Sequence, residues 1–184
     1  MKFFAFACIL ALALAATNED IKYCGLYEGQ CLSDPAVSSK YTITLSGMMH
    51  HDPIYYERTA TTFWGPVCGD DAKLQTVTAS MQMAPIDGVV SRYTVIVDKY
   101  TINFSNEGAF RDYKCKEPLQ VNVDYDITTL ECLDGAAQDP FAAMKAEIGV
   151  PQLNQIIFEE DKITIARGVS DIDLSRVDDT GCHY

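Results

Sequence analysis

The histidines are the side chains that most directly suggest chemistry, yet their spacing does not favour a site. His50 and His51 are adjacent and precede Asp52, in a segment that we expect to be a loop, while His183 lies near the C-terminus. Histidine and aspartate are common metal ligands, but adjacent side chains rarely converge on one ion. We therefore interpret residues 50–52 as a solvated loop and predict no metal site.

Closely spaced carboxylates offer a second kind of chemistry. The aspartates between Asp171 and Asp179 invite a calcium reading, but the spaced ligands, central glycine and final glutamate of an EF-hand loop are missing. We expect a flexible acidic tail after Arg167. Asp124 and Asp126 share one strand face and could act as a carboxylate pair, although solvent exposure is the simpler interpretation.

Common catalytic motifs do not occur in the sequence. It contains no G-x-S-x-G, no H-E-x-x-H and no P-loop, and no histidine has a visible orienting partner for a general base. A Cys–His nucleophile pair is disfavoured because the cysteines should be oxidised. We therefore predict that the chain is not an enzyme and uses no cofactor.

The cysteine pattern indicates disulfides rather than zinc. One of the seven cysteines, Cys8, lies in the N-terminal apolar run, and the sequence has no C-x-x-C pair. An even remainder in a secreted chain predicts three disulfides. The predicted disulfide cysteines are Cys24, Cys31, Cys68, Cys115, Cys132 and Cys182. We favour a Cys115–Cys132 bridge, because these residues flank one strand-like segment, and expect Cys182 to pair with Cys24 or Cys31.

The first residues have the pattern of a secretory signal peptide. A basic start precedes a continuous apolar run over 3–14, and Ala13-Leu14-Ala15 is an A-x-A cleavage signature. We predict a signal peptide over 1–15 and a mature, extracellular domain over 16–184. No later run reaches the about 18 apolar residues that a membrane span requires.

The net charge of the chain restricts the classes of binding partner that we expect. The formal net charge is −12, which disfavours binding to nucleic acid or to anionic membrane surfaces. Solubility is the simplest role for this charge, with calcium or a basic partner as alternatives.

Strand-like alternation is the main structural signal, and it is strongest over Leu74–Ser105. Period-two patterning over this length predicts a long hairpin with one buried face. The pattern changes phase at Asp98-Lys99, which predicts a bulge or a tight turn. Further strands are predicted at 41–46, 54–64 and 119–127, with a hairpin formed by 155–158 and 162–167.

One helix is predicted over Pro140–Ile148. Asp139 can cap it and proline suits its first position, where no N–H is needed. Together these elements predict an all-β fold: a single antiparallel up-and-down β-barrel of about eight strands, with one short helix and stabilising disulfides. A closed barrel removes exposed sheet edges. The rival is an immunoglobulin-like sandwich, whose cysteine–tryptophan spacing is not matched by Trp64, four residues before Cys68.

Two likenesses point to the same fold. Gly25-Leu26-Tyr27, followed by Cys31, resembles the G-x-W signature of lipocalins with tyrosine in place of tryptophan. The resemblance implies that Tyr27 plugs the closed end of a barrel, beneath an arginine of the last strand. Arg167 and Arg176 are the candidates for that arginine.

The second likeness covers more of the chain. The order of segments 59–68, 86–89, 93–104 and 153–168 resembles the lipocalin-like extracellular domain of the adenomatosis-polyposis-coli down-regulated family of Wnt antagonists. Those proteins are membrane-anchored and carry two such domains, whereas one domain and no anchor are expected here. The resemblance implies a barrel able to hold an apolar chain.

These patterns lead to two functional hypotheses. The first is a secreted protein that carries or sequesters a small hydrophobic, lipid-like ligand. The predicted ligand-binding residues are Val77, Ala79, Met81, Met83, Tyr93, Val95, Val97, Val121 and Val123. Such a lining would be almost free of charge and would select against charged ligands. The alternative is an extracellular protein-interaction or adhesion module with a filled core and no small ligand.

A modification site is also predicted. Asn103-Phe104-Ser105 is an N-glycosylation sequon. Because Asn103 alternates with apolar Ile102 and Phe104, we expect it to face away from the core, where a glycan would fit.

Overall fold

The computed structural model describes residues 23–46, 54–86, 91–159, 161–166 and 171–179. Within these ranges the regular structure is mainly β-strand, with one short α-helix and three short 3-10 helices. The strands are β1 Gly25–Gly29, β2 Val37–Ser46, β3 Ile54–Trp64, β4 Lys73–Pro85, β5 Arg92–Phe104, β6 Lys114–Cys115, β7 Asp124–Asp126, β8 Cys132–Leu133, β9 Gln152–Glu159, β10 Lys162–Ala166 and β11 Ile172–Asp178, and the helix is α1 Ala142–Glu147.

Eight of these strands close a single barrel. Going around it, the order is β1, β2, β3, β4, β5, β9, β10 and β11, and β11 pairs back onto β1. Every neighbouring pair in this ring is antiparallel. The predicted fold class, an antiparallel up-and-down barrel with one helix and disulfides, is therefore confirmed.

The central hairpin contains the predicted phase change. Pairing between β4 and β5 steps from Ser80–Lys99 to Met81–Val97, which leaves Asp98 as an extra residue. This is a β-bulge, and it swaps the faces of the residues that follow it. Because the apolar pattern shifts at the same residue, both halves of β5 keep their apolar side chains inside the barrel.

Apolar side chains fill most of the barrel interior. The most deeply buried ones include Tyr27, Met83, Phe104, Ile163 and Leu174, each no more than 1% exposed. Burying a side chain of this size stabilises the fold by about 1.5–3 kcal/mol.

The expectation of a flexible acidic tail after Arg167 is wrong for the last described strand. Residues 172–178 form β11, which pairs with both β10 and β1. Ile172 and Leu174 point inward, whereas Asp173 lies outside and its carboxylate forms an ion pair with Lys162 at 2.9 Å. The acidic residues occupy the solvent face of a strand, which is why composition alone suggested a tail.

The position of the first described strand also differs from the prediction. Residues 25–27 were expected to precede the first strand, but they belong to β1, between β2 and β11. Two strands at the ends of the chain thus complete the barrel.

The predicted strand over 119–127 is wrong for most of its length. Only β7 forms there, and it pairs with the end of β5 outside the ring. Asn122 has φ 59°, a left-handed conformation that interrupts a strand. Val121 and Val123 are 36% and 38% exposed, so their predicted inward positions are also wrong.

The long connection between β5 and β9 packs against the barrel. It contains β6 and β8, which pair with each other, and α1, which is shorter than the predicted 140–148. The Asp139 carboxylate accepts a hydrogen bond from the Phe141 amide at 2.8 Å and forms an ion pair with Lys145 at 2.7 Å. Asp139 therefore stabilises the start of the helix, as its sequence position indicates.

Two disulfides join described residues. Cys115–Cys132 confirms the predicted bridge, and Cys31 pairs with Cys68. Cys31 is therefore not the partner of Cys182. Cys24 is disulfide-bonded as well, and its predicted pairing with Cys182 lies outside the described residues. No helix within these ranges is both long and apolar enough to cross a membrane.

Peptide mapping of the unreduced protein should recover Cys31 linked to Cys68 and Cys115 linked to Cys132. A Cys31–Cys182 peptide would contradict this arrangement, and a Cys24–Cys182 peptide would complete the predicted set.

Truncating Leu174 tests whether β11 is structural. Leu174 is fully buried, so Leu174→Ala should lower the free energy of unfolding by about 2–5 kcal/mol. Val177 on the same strand is 56% exposed, and Val177→Ala should change stability by less than about 0.5 kcal/mol. Urea unfolding with the disulfides intact measures both; equal, small effects would show that β11 is not part of the cooperative core.

Candidate ligand-binding site

One end of the barrel is closed by aromatic packing. Tyr27 is fully buried, and its hydroxyl donates a hydrogen bond to the Tyr23 carbonyl oxygen at 2.9 Å. The ring of Tyr23 packs on Phe158, with centroids 5.5 Å apart, and Phe158 packs in turn on Tyr93. No ligand can enter past this cluster without displacing it.

Gly25 and Arg176 hold Tyr27 in place. Tyr27 pairs directly with Arg176 across β1 and β11. Gly25 has φ +136°, and a Cβ there would lie 2.6 Å from the Asp178 carbonyl oxygen and 3.0 Å from Arg176 Nε. Burial raises the pKa of Tyr27, while the Arg176 charge lowers it. Of the two arginine candidates, Arg176 lies at this site and Arg167 lies outside the described residues.

The opposite end of the barrel is less densely covered along β2, β3 and β11, whereas Phe104 of β5 is fully buried there against Phe110, Tyr113 and Tyr125. Tyr41 pairs with Ala60 on the inward face, and both are only partly buried. Thr62 and Ile172 at the same end are also partly buried. By contrast, inward residues near the closed end, such as Met83, are almost completely shielded. We call the less covered half the open half.

A small cavity lies at the floor of the open half. Its volume is about 30 Å³, room for about one water molecule. The lining residues are Tyr56, Arg58, Met81, Val97, Tyr100, Glu147, Gln152, Asn154, Ile156 and Ile165.

Three polar side chains lie together on this floor, and we call Arg58, Tyr100 and Glu147 the polar relay. The Tyr100 hydroxyl donates a hydrogen bond to Glu147 Oε2 at 2.6 Å. Burial first, and then this bond to Glu147, raise the pKa of Tyr100 to about 12, while the positive charge of Arg58 opposes the shift. Arg58 and Glu147 therefore both act on the Tyr100 hydroxyl.

The strands and the helix position each member of the relay. Arg58 follows Tyr56 by two residues on β3, so both face inward. Arg58 pairs with Ala79 on β4, which pairs with Tyr100 on β5. Because Ala79 is small, it leaves space between the guanidinium and the phenol ring.

Glu147 reaches the floor through an interruption in the barrel wall. The ladder between β5 and β9 extends only from Arg92–Gln155 to Val95–Gln152. Beyond it, the Gly149 amide donates to the Val97 carbonyl oxygen at 2.9 Å, which anchors the end of α1 beside the gap. The connection that follows β5 thus supplies an acidic side chain to the interior.

The predicted ligand-binding residues separate into three groups. Ala79, Met81, Met83, Val95 and Val97 are buried in the barrel, and only Met81 and Val97 line the cavity. Val77 and Tyr93 are partly buried against the core. The third group, Val121 and Val123, is at the surface, as noted above.

The expectation of an uncharged lining is wrong. Arg58 and Glu147 both line the cavity. Arg58 could have been found from the sequence, since the inward alternation of Ile54 and Tyr56 continues to it. Glu147 could not, because its position depends on how a long connection folds back onto the wall.

The other candidate residues have structural roles or lie outside the described ranges. Asp126 accepts hydrogen bonds from Thr128, which chiefly lower the pKa of Asp126, and forms an ion pair with Lys99 at 3.2 Å. The Asn103 amide donates to Asp124 Oδ1 at 2.7 Å. Asn103 does face away from the core, and its glycosylation stays a prediction.

Metal-ligating side chains and an open groove are the remaining candidate sites. His50, His51 and His183 lie outside the described residues. Within the described part of the chain, no group of three or more histidine, cysteine, aspartate or glutamate side chains could hold a metal ion. An open groove of about 680 Å³ lies along residues 106–119, outside the barrel, and carries charges of both signs.

Comparisons of the chain with profiles of known families, with curated proteins and with solved structures find no match. The residues and their geometry are therefore the basis for inferring a function.

Alkaline titration tests whether the two tyrosines that line the cavity, Tyr56 and Tyr100, are buried. Burial raises the pKa of Tyr56 to about 12, as for Tyr100, from the ordinary 10.0. Ultraviolet titration should show Tyr56 and Tyr100 among the late-ionising tyrosines, and the late phase should lose one tyrosine in each of Tyr56→Phe and Tyr100→Phe. The folded state retains these protons where the unfolded state releases them, so stability should fall as the pH rises from 10 to about 12.

Tyr55→Phe is the matched control, since Tyr55 is 56% exposed on the outer face of the same strand. Its substitution should leave the late phase unchanged. A late phase of undiminished amplitude in both Tyr56→Phe and Tyr100→Phe would contradict the assignment.

Proposed function

We propose that this protein is a secreted β-barrel binding protein that carries or sequesters a small ligand with an apolar body and an anionic head. The ligand enters through the open half, and its head reaches Arg58 and Tyr100. The observation that carries the proposal is a partly buried arginine on a floor that combines polar and apolar side chains.

The charge of Arg58 supports an anionic head. None of the ion pairs among the described residues includes Arg58. A guanidinium removed from water is costly without an anion, and its planar fork matches a carboxylate in a bidentate arrangement. The Tyr100 hydroxyl would supply a further hydrogen bond to the same head.

The surrounding side chains support an apolar body. Met81, Val97, Ile156 and Ile165 supply the apolar part of the floor, beside the polar Gln152 and Asn154, and the partly exposed Tyr41 continues the wall toward the open end. Methionine adapts readily to different shapes. These contacts favour a flexible hydrocarbon chain over a rigid polar molecule.

The present cavity is too small for such a chain, so binding requires rearrangement. Pockets for ligands of this size usually occupy about 300–1,000 Å³. The end of α1 is the wall segment best able to move, because the Tyr100–Glu147 bond and the Gly149–Val97 bond attach it to β5. Displacing Glu147 would free Tyr100 for the ligand and extend the cavity through the gap in the wall.

Native mass spectrometry of the secreted protein, followed by lipid extraction, tests the carrier function directly. We expect a co-purified amphipathic molecule or uptake of fluorescent fatty acids. Finding neither would reject the carrier function and favour the alternative, an extracellular interaction module with a filled core.

Arg58→Gln tests the position of the head. It should weaken binding of a long-chain fatty acid by about tenfold or more, the value of one charged hydrogen-bonding contact. Binding of the matching long-chain alcohol should be nearly unchanged. Competition with a fluorescent fatty acid measures both affinities.

Arg92→Gln is the matched control, because Arg92 is exposed at the start of β5. It should leave both affinities unchanged. An equal loss of acid and alcohol binding in Arg58→Gln would show that Arg58 maintains the shape of the floor and does not contact the head.

A further inference from the structure

Glu147 differs from the other side chains that line the cavity. Among the described lining residues, nine lie on strands of the barrel ring, whereas Glu147 lies at the end of α1. Glu147 is half-buried, and it reaches the cavity from a connection outside the ring. The position of its carboxylate is therefore not fixed by the strand ladders that position Arg58 and Tyr100.

The Glu147 carboxylate already makes the contact that the proposed function assigns to a ligand head. Its Oε2 atom accepts the hydrogen bond from the Tyr100 hydroxyl at 2.6 Å. Arg58 and Glu147 also line the same cavity of about 30 Å³. A tyrosine hydroxyl donates only one hydrogen bond, so Glu147 and a ligand carboxylate exclude each other at Tyr100.

The end of α1 is attached to β5 outside the strand ladders of the ring. We call residues 142–150, which include α1, the strap. Beyond the Tyr100–Glu147 bond, the Gly149 amide donates to the Val97 carbonyl oxygen at 2.9 Å, and Ile148 forms an isolated bridge with Val97. The end of the strap can therefore leave β5 without breaking any strand pair of the ring.

The start of the strap is held more firmly. Lys145 Nζ donates to the Leu130 carbonyl oxygen at 2.7 Å and forms an ion pair with Asp139 at 2.7 Å. Phe141, directly before the strap, is 2% exposed, and its ring packs edge-on against Tyr113 with centroids 5.7 Å apart. The strap thus has a fixed start and a releasable end.

Gly149 and Val150 give the releasable end room to move. Gly149 has φ +73°, and no described atom lies within 4 Å of the place where its Cβ would be. Glycine adopts positive and negative φ about equally readily. Val150 is 49% exposed, so its displacement from this position loses little burial.

We propose that the strap is autoinhibitory, and that Glu147 is an internal competitor that occupies the head position until the ligand displaces it. This inference rests on the proposed function, because it assigns to that same site the group that regulates its affinity. The cavity of about 30 Å³ then belongs to the closed state of the site. In the ligand-bound state the end of the strap has moved away from β5.

Internal competition lowers the affinity for every ligand that uses the head position. When only a fraction of the molecules has an open site, the apparent dissociation constant rises in inverse proportion to that fraction. The cost of displacing Glu147 is the same for each such ligand. A change that weakens the Tyr100–Glu147 bond should therefore strengthen the binding of all of them by a similar factor.

Glu147→Gln tests this competition. Glutamine keeps the size of the side chain and loses the charge, so the closed state should be less populated. The affinity for a long-chain fatty acid should rise by about tenfold, as expected when a charged hydrogen bond becomes a neutral one. The matching long-chain alcohol should gain by a similar factor. Competition with a fluorescent fatty acid measures both affinities.

The direction of the change separates competition from structural support. Arg58→Gln is expected to weaken fatty-acid binding, whereas Glu147→Gln is expected to strengthen it. Unchanged or weaker binding in Glu147→Gln would overturn the proposal, because it would show that Glu147 supports the floor or contacts the ligand. A gain confined to the acid would also overturn it, since Glu147 would then repel the head without occupying its position.

Glu131→Gln is the matched control. Glu131 lies in the same connection, its side chain is 70% exposed, and its carboxylate pairs with Lys116 at 3.4 Å. This variant should leave both affinities unchanged. An equal gain in Glu131→Gln and Glu147→Gln would assign the effect to the overall negative charge of the chain and reject the strap.

Hydrogen exchange of the Gly149 amide tests the movement itself. Because this amide bonds to Val97 only in the closed state, adding fatty acid should make it exchange faster. The Lys145 amide, which donates to the Phe141 carbonyl oxygen at 2.9 Å, lies at the fixed start and should not exchange faster. Slower exchange of the Gly149 amide with fatty acid would show that the strap closes over the ligand, which contradicts the proposal.

The same measurements separate failure of the strap from failure of the proposed function. Fatty-acid binding by the unchanged protein without a gain in Glu147→Gln refutes the strap and leaves the carrier function in place. Binding that is detectable only in Glu147→Gln supports both. The absence of binding in both proteins refutes the carrier function, and the strap with it, since no ligand head would then compete with Glu147.

Discussion

The antiparallel pairing of β11 with β1 closes the ring of strands, and the other features of the protein depend on that closure. It joins the first and last described strands through Tyr27–Arg176 and Gly29–Leu174. Without it, the eight strands would form an open sheet with two unpaired edges, which are prone to aggregation. Gly25 permits this approach, because any Cβ there would collide with the Asp178 carbonyl oxygen. The same contact sets Tyr27 across the closed end.

The dense packing of the closed half allows the barrel to hold charged side chains in its other half. A barrel whose closed half is packed with apolar side chains has enough stabilising burial to accommodate Arg58 and Glu147 on its floor. Glu147 accepts a hydrogen bond from Tyr100, whose pKa the Arg58 charge also affects, and partial exposure to solvent reduces the desolvation cost. The cavity therefore depends on incomplete coverage, because a fully packed interior would leave no room for these charged side chains.

The sequence predicted elements that are defined by local alternation and failed where the outcome depends on distant partners. Strand β3 was predicted with its observed bounds, and the bulge at Asp98 followed from a phase change. β11 was missed because Asp171 and Asp173 resemble an acidic tail until β10 and β1 are known to flank them. Residues 119–127 alternate as well as any strand, but they find only three partners on β5. Likewise, Arg58 is visible in the inward pattern of β3, whereas Glu147 reaches the floor only through the fold of a long connection.

The two disulfides between described residues lie at the open end, close to the aromatic contacts that Phe104 makes with the connection after β5. Strands β1, β3 and β5 run in the same direction and finish at this end, and the connections that follow them carry both bridges. The closed end combines buried aromatic contacts with a further crosslink, because Cys24, which directly precedes β1, is disulfide-bonded as well. A crosslink stabilises chiefly by restricting the unfolded chain, so it adds stability without changing how side chains pack in the barrel. The bridges therefore reinforce the connections between strands independently of the burial that holds the strands together.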